Sequence, residues 1–224
     1  MIKNKPLALA YRAAALLFAL TGLLSQLGIF SGEFHPSMFL YYTLQSNVLA
    51  VVLFAMLTTR TAISLREGKR GSAAFFARFE MVCACDLLIT FAVYWVMLAP
   101  ILTNLWQFAN IAVHGITPLL CLLDYLLFAT GRRLKYRDVY YVCIFPLLYV
   151  VFAVFVRFTG YLYRFPGAEG ETVSRYPYYF LDFDTLGAQA LLYIGAILIF
   201  FLLLGHGLYL VDRKAVRKFA GIDR

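Results

Sequence analysis

The chain has 224 residues, of which 62% are hydrophobic and only 14% charged, and its mean hydropathy is +0.77. A soluble domain carries about 25% charged residues, so this composition excludes an ordinary water-soluble globule, a disordered chain and a disulfide-rich secreted scaffold. The formal charge of +8 would suit nucleic acid only if the basic residues shared one soluble face, and they do not.

Six apolar runs are each long enough for a helix to cross about 30 Å of hydrocarbon. The first, Leu7–Phe30, follows Lys3 and Lys5 and imitates a secretory leader. It is longer than a leader core and no small-x-small site ends it, so the reading is a retained helix. The second covers Ser37–Thr59, the third Ala73–Ala99 and the fourth Thr103–Ala129. The fifth is Val139–Phe158 and the sixth Thr185–Val211. No run alternates like the strands of an outer-membrane barrel. The expectation is one all-α domain over residues 1–224, a bundle of six transmembrane helices.

The loops set the orientation. Of the 20 basic residues, 17 lie at the N-terminus, around the second and fourth connections, and in the tail; only Arg157, Arg164 and Arg175 lie on the other side. The positive-inside rule then places both termini in the cytoplasm. These clusters suit topology and anionic lipid headgroups, so no nucleic-acid partner is expected. The outer stretch Thr159–Asp184 holds Pro166, Gly167, Gly170 and Pro177 and reads as a loop, either a lid or a solvated connector. Cys83, Cys85, Cys121 and Cys143 fall inside predicted helices without zinc or redox spacing and read as apolar packers.

Polar residues inside hydrocarbon need a partner or a wet cavity, so they carry the information. In the fourth run Thr103, Gln107, Asn110, His114, Thr117, Cys121 and Asp124 fall on one arc of about 100°. Two readings stand: hydrogen-bonding glue between helices, or the wall of a polar cavity. In the second run Thr43, Ser46 and Asn47 share a face by their spacing. Counted from the outer edges, Thr43 and Asn110 lie about 9–10 Å deep, and Asn47 and His114 about 15–16 Å. The two patches therefore occupy one layer. In the third run Glu80, Cys83, Asp86, Thr90 and Tyr94 share an arc. Glu80 is expected to pair with Arg12 or Arg78, and Asp86 either to orient a histidine or to pair with Arg157. His35 and His206 lie at other depths than His114, and no clustered carboxylates accompany them, so neither haem nor metal is expected.

A threonine hydroxyl becomes a nucleophile when a base takes its proton, and a neutral imidazole suits that task. Thr43 and His114 fit these roles, and Asn47, Asn110 or Gln45 can donate to a developing oxyanion. In hydrocarbon the fitting substrate is a lipid ester. A non-catalytic lipid- or small-molecule-binding protein, or a transporter, would use the same cavity without chemistry.

Three segments support the first reading: Phe39-Leu40-Tyr41-Tyr42-Thr43-Leu44-Gln45-Ser46-Asn47, Ala112-Val113-His114-Gly115-Ile116-Thr117-Pro118 and Tyr176-Pro177-Tyr178-Tyr179-Phe180-Leu181-Asp182. Together, in this order, they resemble the androgen-induced-gene family of integral membrane proteins and its bacterial six-helix relatives, over nearly the whole chain. Animal members are threonine hydrolases of fatty acid esters of hydroxy fatty acids, with one membrane threonine and one membrane histidine. The resemblance implies that Thr43 is the nucleophile and His114 the base, and that the chain resides in a bacterial cytoplasmic membrane.

Overall fold

The computed structural model describes residues 2–69, 73–101, 106–129, 131, 134–167 and 170–220. Six helices in it are long and apolar enough to cross a membrane. They are α1 (Lys5–Gln26), α2 (Tyr42–Arg66), α3 (Ala77–Met97), α4 (Phe108–Ala129), α5 (Tyr136–Phe158) and α6 (Gln189–Ala220). Thr103 of the expected fourth run lies outside the described residues.

Helix ends depart from the hydropathy edges for local reasons. α1 stops before Phe30 because Gly28 takes φ +75° and Ile29 N–H closes back on the Leu24 carbonyl, the left-handed glycine stop of a Schellman turn. A Cβ at Gly28 would strike the Glu33 carbonyl oxygen. α2 runs past Thr59 to Arg66 and ends the same way at Gly68, with Lys69 N–H on the Ser64 carbonyl. Its last turns hold polar residues that hydropathy reads as loop, yet Thr61 and Ser64 are buried and bonded.

α3 is the central helix, with Met81, Cys83, Ala84, Cys85 and Leu87 fully buried. It packs on α2, α4 and α6, and α1 packs on α2 and α4. Gly22 makes the α1–α4 approach close: a Cβ there would sit 2.7 Å from Ala112 Cβ, the small-residue contact expected between membrane helices. The four cysteines are free thiols, three buried and Cys143 half-buried.

Polar bonds tie together the end of the bundle that carries the N-terminus. Arg12, wholly buried, donates to both Asp124 carboxylate oxygens at 2.8 and 3.0 Å, to Thr61 Oγ1 at 2.8 Å and to the Ala73 carbonyl at 2.7 Å. Lys5 Nζ donates to Ser64 Oγ at 2.6 Å. The pairing expected for Glu80 is therefore corrected. Arg12 takes Asp124, Arg78 takes Asp138 at 2.9 Å, and Glu80 accepts from the Phe76 N–H at 3.1 Å. A bidentate guanidinium–carboxylate pair outcompetes a single contact, and helix adjacency rather than sequence spacing chose the partner.

At the opposite end the 159–184 stretch is more ordered than a loop. Strands β1 (Tyr163–Gly167) and β2 (Gly170–Ser174) form an antiparallel hairpin, with Tyr163 opposite Ser174. This is the one departure from all-α character among the described residues. Arg157 binds Asp184 at 2.6 Å and so is not the partner of Asp86, while Ser174 donates to Asp182 at 3.0 Å. Tyr163, Tyr176, Phe180 and Leu181 are buried, so the segment lies on the bundle rather than in solvent.

Candidate functional site

Under that segment, between α2, α3, α5 and α6, lies a partly open cavity of about 70 Å³. Thr43 lines it as the second residue of α2, directly after Tyr41 and Tyr42 turn the chain from extended into helix. Its walls are otherwise almost all apolar or aromatic, and none of the described residues lining it carries a charge.

Two hydroxyl zippers fix α2 against α3. Tyr42 donates to Asp86 Oδ1 at 2.8 Å, and Ser46 and Thr90 share a hydrogen bond at 3.1 Å. Asp86 is thereby a support for the cavity wall beside Thr43. Its Oδ2 is buried without a partner.

Asn47 links the two candidate segments. Its Nδ2 donates to the Thr43 carbonyl at 2.9 Å and to the Val113 carbonyl at 3.0 Å. The residue beside His114 is thus bound to the same amide as the threonine. His114 sits in a π-helical turn, Ala112–Ile116, and such turns cluster at functional sites. The wide turn leaves carbonyls free of the ordinary helical ladder; Val113 accepts from Asn47, and His114 accepts from Trp95 Nε1 at 3.1 Å. The imidazole is buried and stacks on Tyr94 at 3.7 Å and 12°, and its Nδ1 has no hydrogen-bond partner. Tyr94, at the start of its own π turn, lines the cavity as well.

The α4 stripe settles its two readings by depth. His114, Thr117, Cys121 and Asp124 are buried inside the bundle, and Asp124 is helix glue through Arg12. Yet no described α4 residue lines the cavity; Tyr94 stands between it and His114. Asn110 is half-buried in the first turn of α4. Gln45 lies away from the cavity, its Nε2 bonded to the Phe39 carbonyl at 2.9 Å. Among the described residues no hydrogen bond joins Thr43 to His114.

The side chain that does meet Thr43 is Tyr178, from the outer segment. Its phenol lies within reach of the Thr43 side chain, of the backbone of Tyr42 and Thr43 and of the Tyr149 phenol. Those first helical N–H groups have no acceptor within the helix. Burial pushes the Tyr178 phenol up from its ordinary value, and these polar neighbours pull it partly back. Tyr41, beside it, is pushed up to about 12 by burial and by the neighbouring tyrosines Tyr178 and Tyr161. Tyr178 lies in the Tyr-Pro segment of the sequence, but nothing in that pattern assigns it to the threonine. Tyr94 shares an arc with Asp86, and only the fold shows that it stacks on the histidine.

Among the described residues no group of three His, Cys, Asp or Glu side chains is placed to hold a metal ion. Comparison of the chain with known protein families, with curated proteins and with solved structures finds no match.

Proposed function

We propose that the chain is an intramembrane lipid-ester hydrolase with Thr43 as nucleophile and His114 as base. The observation that carries this reading is the Thr43 hydroxyl in the wall of an apolar cavity whose neighbouring helix segment bears a buried histidine with an unpartnered Nδ1, while the other aliphatic hydroxyl of that wall, Thr90, is bonded to Ser46 and to the Asp86 carbonyl. Small-ligand sites are concave and mostly apolar, and an acyl chain is the ligand that such walls solvate. The resemblance to the androgen-induced-gene family implies the same pair. The site would then work within a bacterial cytoplasmic membrane, both termini on the cytoplasmic side, on fatty acid esters of hydroxy fatty acids or related lipid esters.

The chemistry is two-step. Thr43 Oγ attacks the ester carbonyl carbon while its proton passes to His114. The tetrahedral intermediate collapses, and the departing alkoxide takes that proton and leaves as the alcohol. Water then gives a proton to His114 and attacks the acyl-threonine; the proton returns to Thr43 Oγ as the carboxylic acid leaves. Tyr94, stacked on His114 and lining the cavity with Thr43, must move aside for the two to meet, and catalytic hydrogen bonds commonly tighten only when substrate is bound. Both amide hydrogens of Asn47 are committed to the Thr43 and Val113 carbonyls, so Asn47 positions the pair, and Asn110 and the backbone N–H groups at the start of α2 are the proposed donors for the oxyanion.

The contact of Thr43 with Tyr178 rather than His114 favours the alternative, a lipid-binding or transport protein without chemistry. A fluorophosphonate probe separates the two. The hydrolase reading expects covalent labelling on the peptide containing Thr43, lost in Thr43→Ala and in His114→Ala; an unlabelled, folded protein that still binds lipid supports the alternative.

A further inference from the structure

The cavity has a direction. α6 runs inward from the hairpin end, so Ile194, Ile197, Leu198 and Phe201 descend along its wall over about 10 Å. α5 runs the opposite way and places Pro146 deeper than Tyr149 and Val150, while α3 places Ile89 deeper than Tyr94. The hydroxyls of Thr43, Tyr94, Tyr149 and Tyr178 therefore gather at the shallow end. Ile89, Pro146 and Phe201 form the deep end, where Phe201 is fully buried. The hydroxyls near it are committed elsewhere, Thr90 to Ser46 and the Asp86 carbonyl and Tyr42 to the Asp86 carboxylate.

We propose that this cavity is an acyl-chain ruler. The acyl half of the ester lies within it, carbonyl at Thr43 and terminal methyl against Ile89, Pro146 and Phe201, while the alcohol half stays at the mouth. The inference rests on the hydrolase reading of Thr43 and adds which half of the substrate is measured and by which residues. Chain length is limited by the floor, and a charge at the far end of the chain is excluded, because it would enter an uncharged, apolar pocket without a partner.

The test uses the purified full-length protein in lipid nanodiscs and p-nitrophenyl esters from acetate to palmitate. Burial of one methylene corresponds to about fourfold in kcat/KM, so the profile climbs by about that factor per methylene and then breaks where the chain meets the floor. Phe201→Ala moves the break to longer chains, and Ile197→Phe moves it to shorter ones, which keeps the test alive if one variant fails to fold. A terminal carboxylate on the best acyl chain lowers kcat/KM at least tenfold. A flat profile, or a break unmoved in both folded variants, while Thr43→Ala abolishes turnover, overturns the ruler and leaves the hydrolase. Absence of Thr43-dependent turnover at every chain length overturns both.

Discussion

Replacing Asp124 with asparagine asks how much of the bundle depends on its buried ion pair. In the native protein the Arg12 guanidinium is fully enclosed and divides its donors among Asp124, Thr61 and the Ala73 carbonyl. Asp124→Asn keeps the shape but removes the countercharge, and one of its amide hydrogens would face the guanidinium. Breaking a buried pair from one side costs about 3–5 kcal/mol, most of it the cost of an enclosed charge left uncompensated. The double variant Arg12→Leu/Asp124→Leu removes both charges and should recover a large part of that loss, since apolar replacement of a buried pair is often close to neutral. Unfolding of each variant in mixed micelles, followed by tryptophan fluorescence or protease resistance, supplies the two numbers. An Asp124→Asn protein within about 1 kcal/mol of wild type, or a double variant weaker than both singles by the sum of their losses, would refute the idea that this pair is a closed electrostatic unit.

Three further outcomes follow from local geometry. Gly22→Leu forces a side chain into the 2.7 Å approach to Ala112 and should cost about 1–3 kcal/mol in the same assay; an unchanged midpoint would mean that α1 and α4 are not so closely packed. Asn47→Leu strips both the Thr43 and Val113 carbonyls of a donor, with an expected loss of about 1–3 kcal/mol and of ester cleavage; full activity would sever the link between the two segments. The Arg157 guanidinium holds the Asp184 carboxyl below the ordinary aspartate value. A depressed carboxylate stabilises above its unfolded pKa, about 3.9, and loses that contribution as pH falls through the lower folded value. Hydrogen exchange across residues 174–187 should therefore quicken below about pH 4, and Asp184→Asn should show the quickened rate at neutral pH with no further acid response. Equal exchange in both proteins at pH 7 would remove the clamp.

The six helices were legible because hydrocarbon solvent imposes a one-dimensional test: about 20 apolar residues in a row. Glycine stops and polar helix ends were not. Whether Arg60–Arg66 continues a helix depends on Thr61 and Ser64 finding Arg12 and Lys5 across the bundle. Faces were legible where periodicity is strong: the α4 stripe does turn inward at His114, Thr117, Cys121 and Asp124. What that face meets was hidden, since adjacency of helices is set by packing. Hence Arg12 took Asp124 rather than Glu80, Asp86 took Tyr42 rather than Arg157, and Tyr94 came between His114 and the cavity. The hairpin leaves no strand pattern in the sequence because its two strands are short and carry Pro166, Gly167 and Gly170, and Tyr178, 135 positions from Thr43 in the chain, reaches it only through the folded outer segment.

The central claim is that Thr43 carries the acyl group. The most direct measurement is mass spectrometry of the protein quenched during turnover of a lipid ester, with Thr43→Ser and Thr43→Ala in parallel. An added acyl mass is expected on the peptide containing residue 43 in the wild type and in Thr43→Ser, which keeps a hydroxyl, and none in Thr43→Ala, whose hydrolysis falls to background. Hydrolysis by Thr43→Ala at the wild-type rate, with no acylated peptide in any of the three proteins, would contradict it.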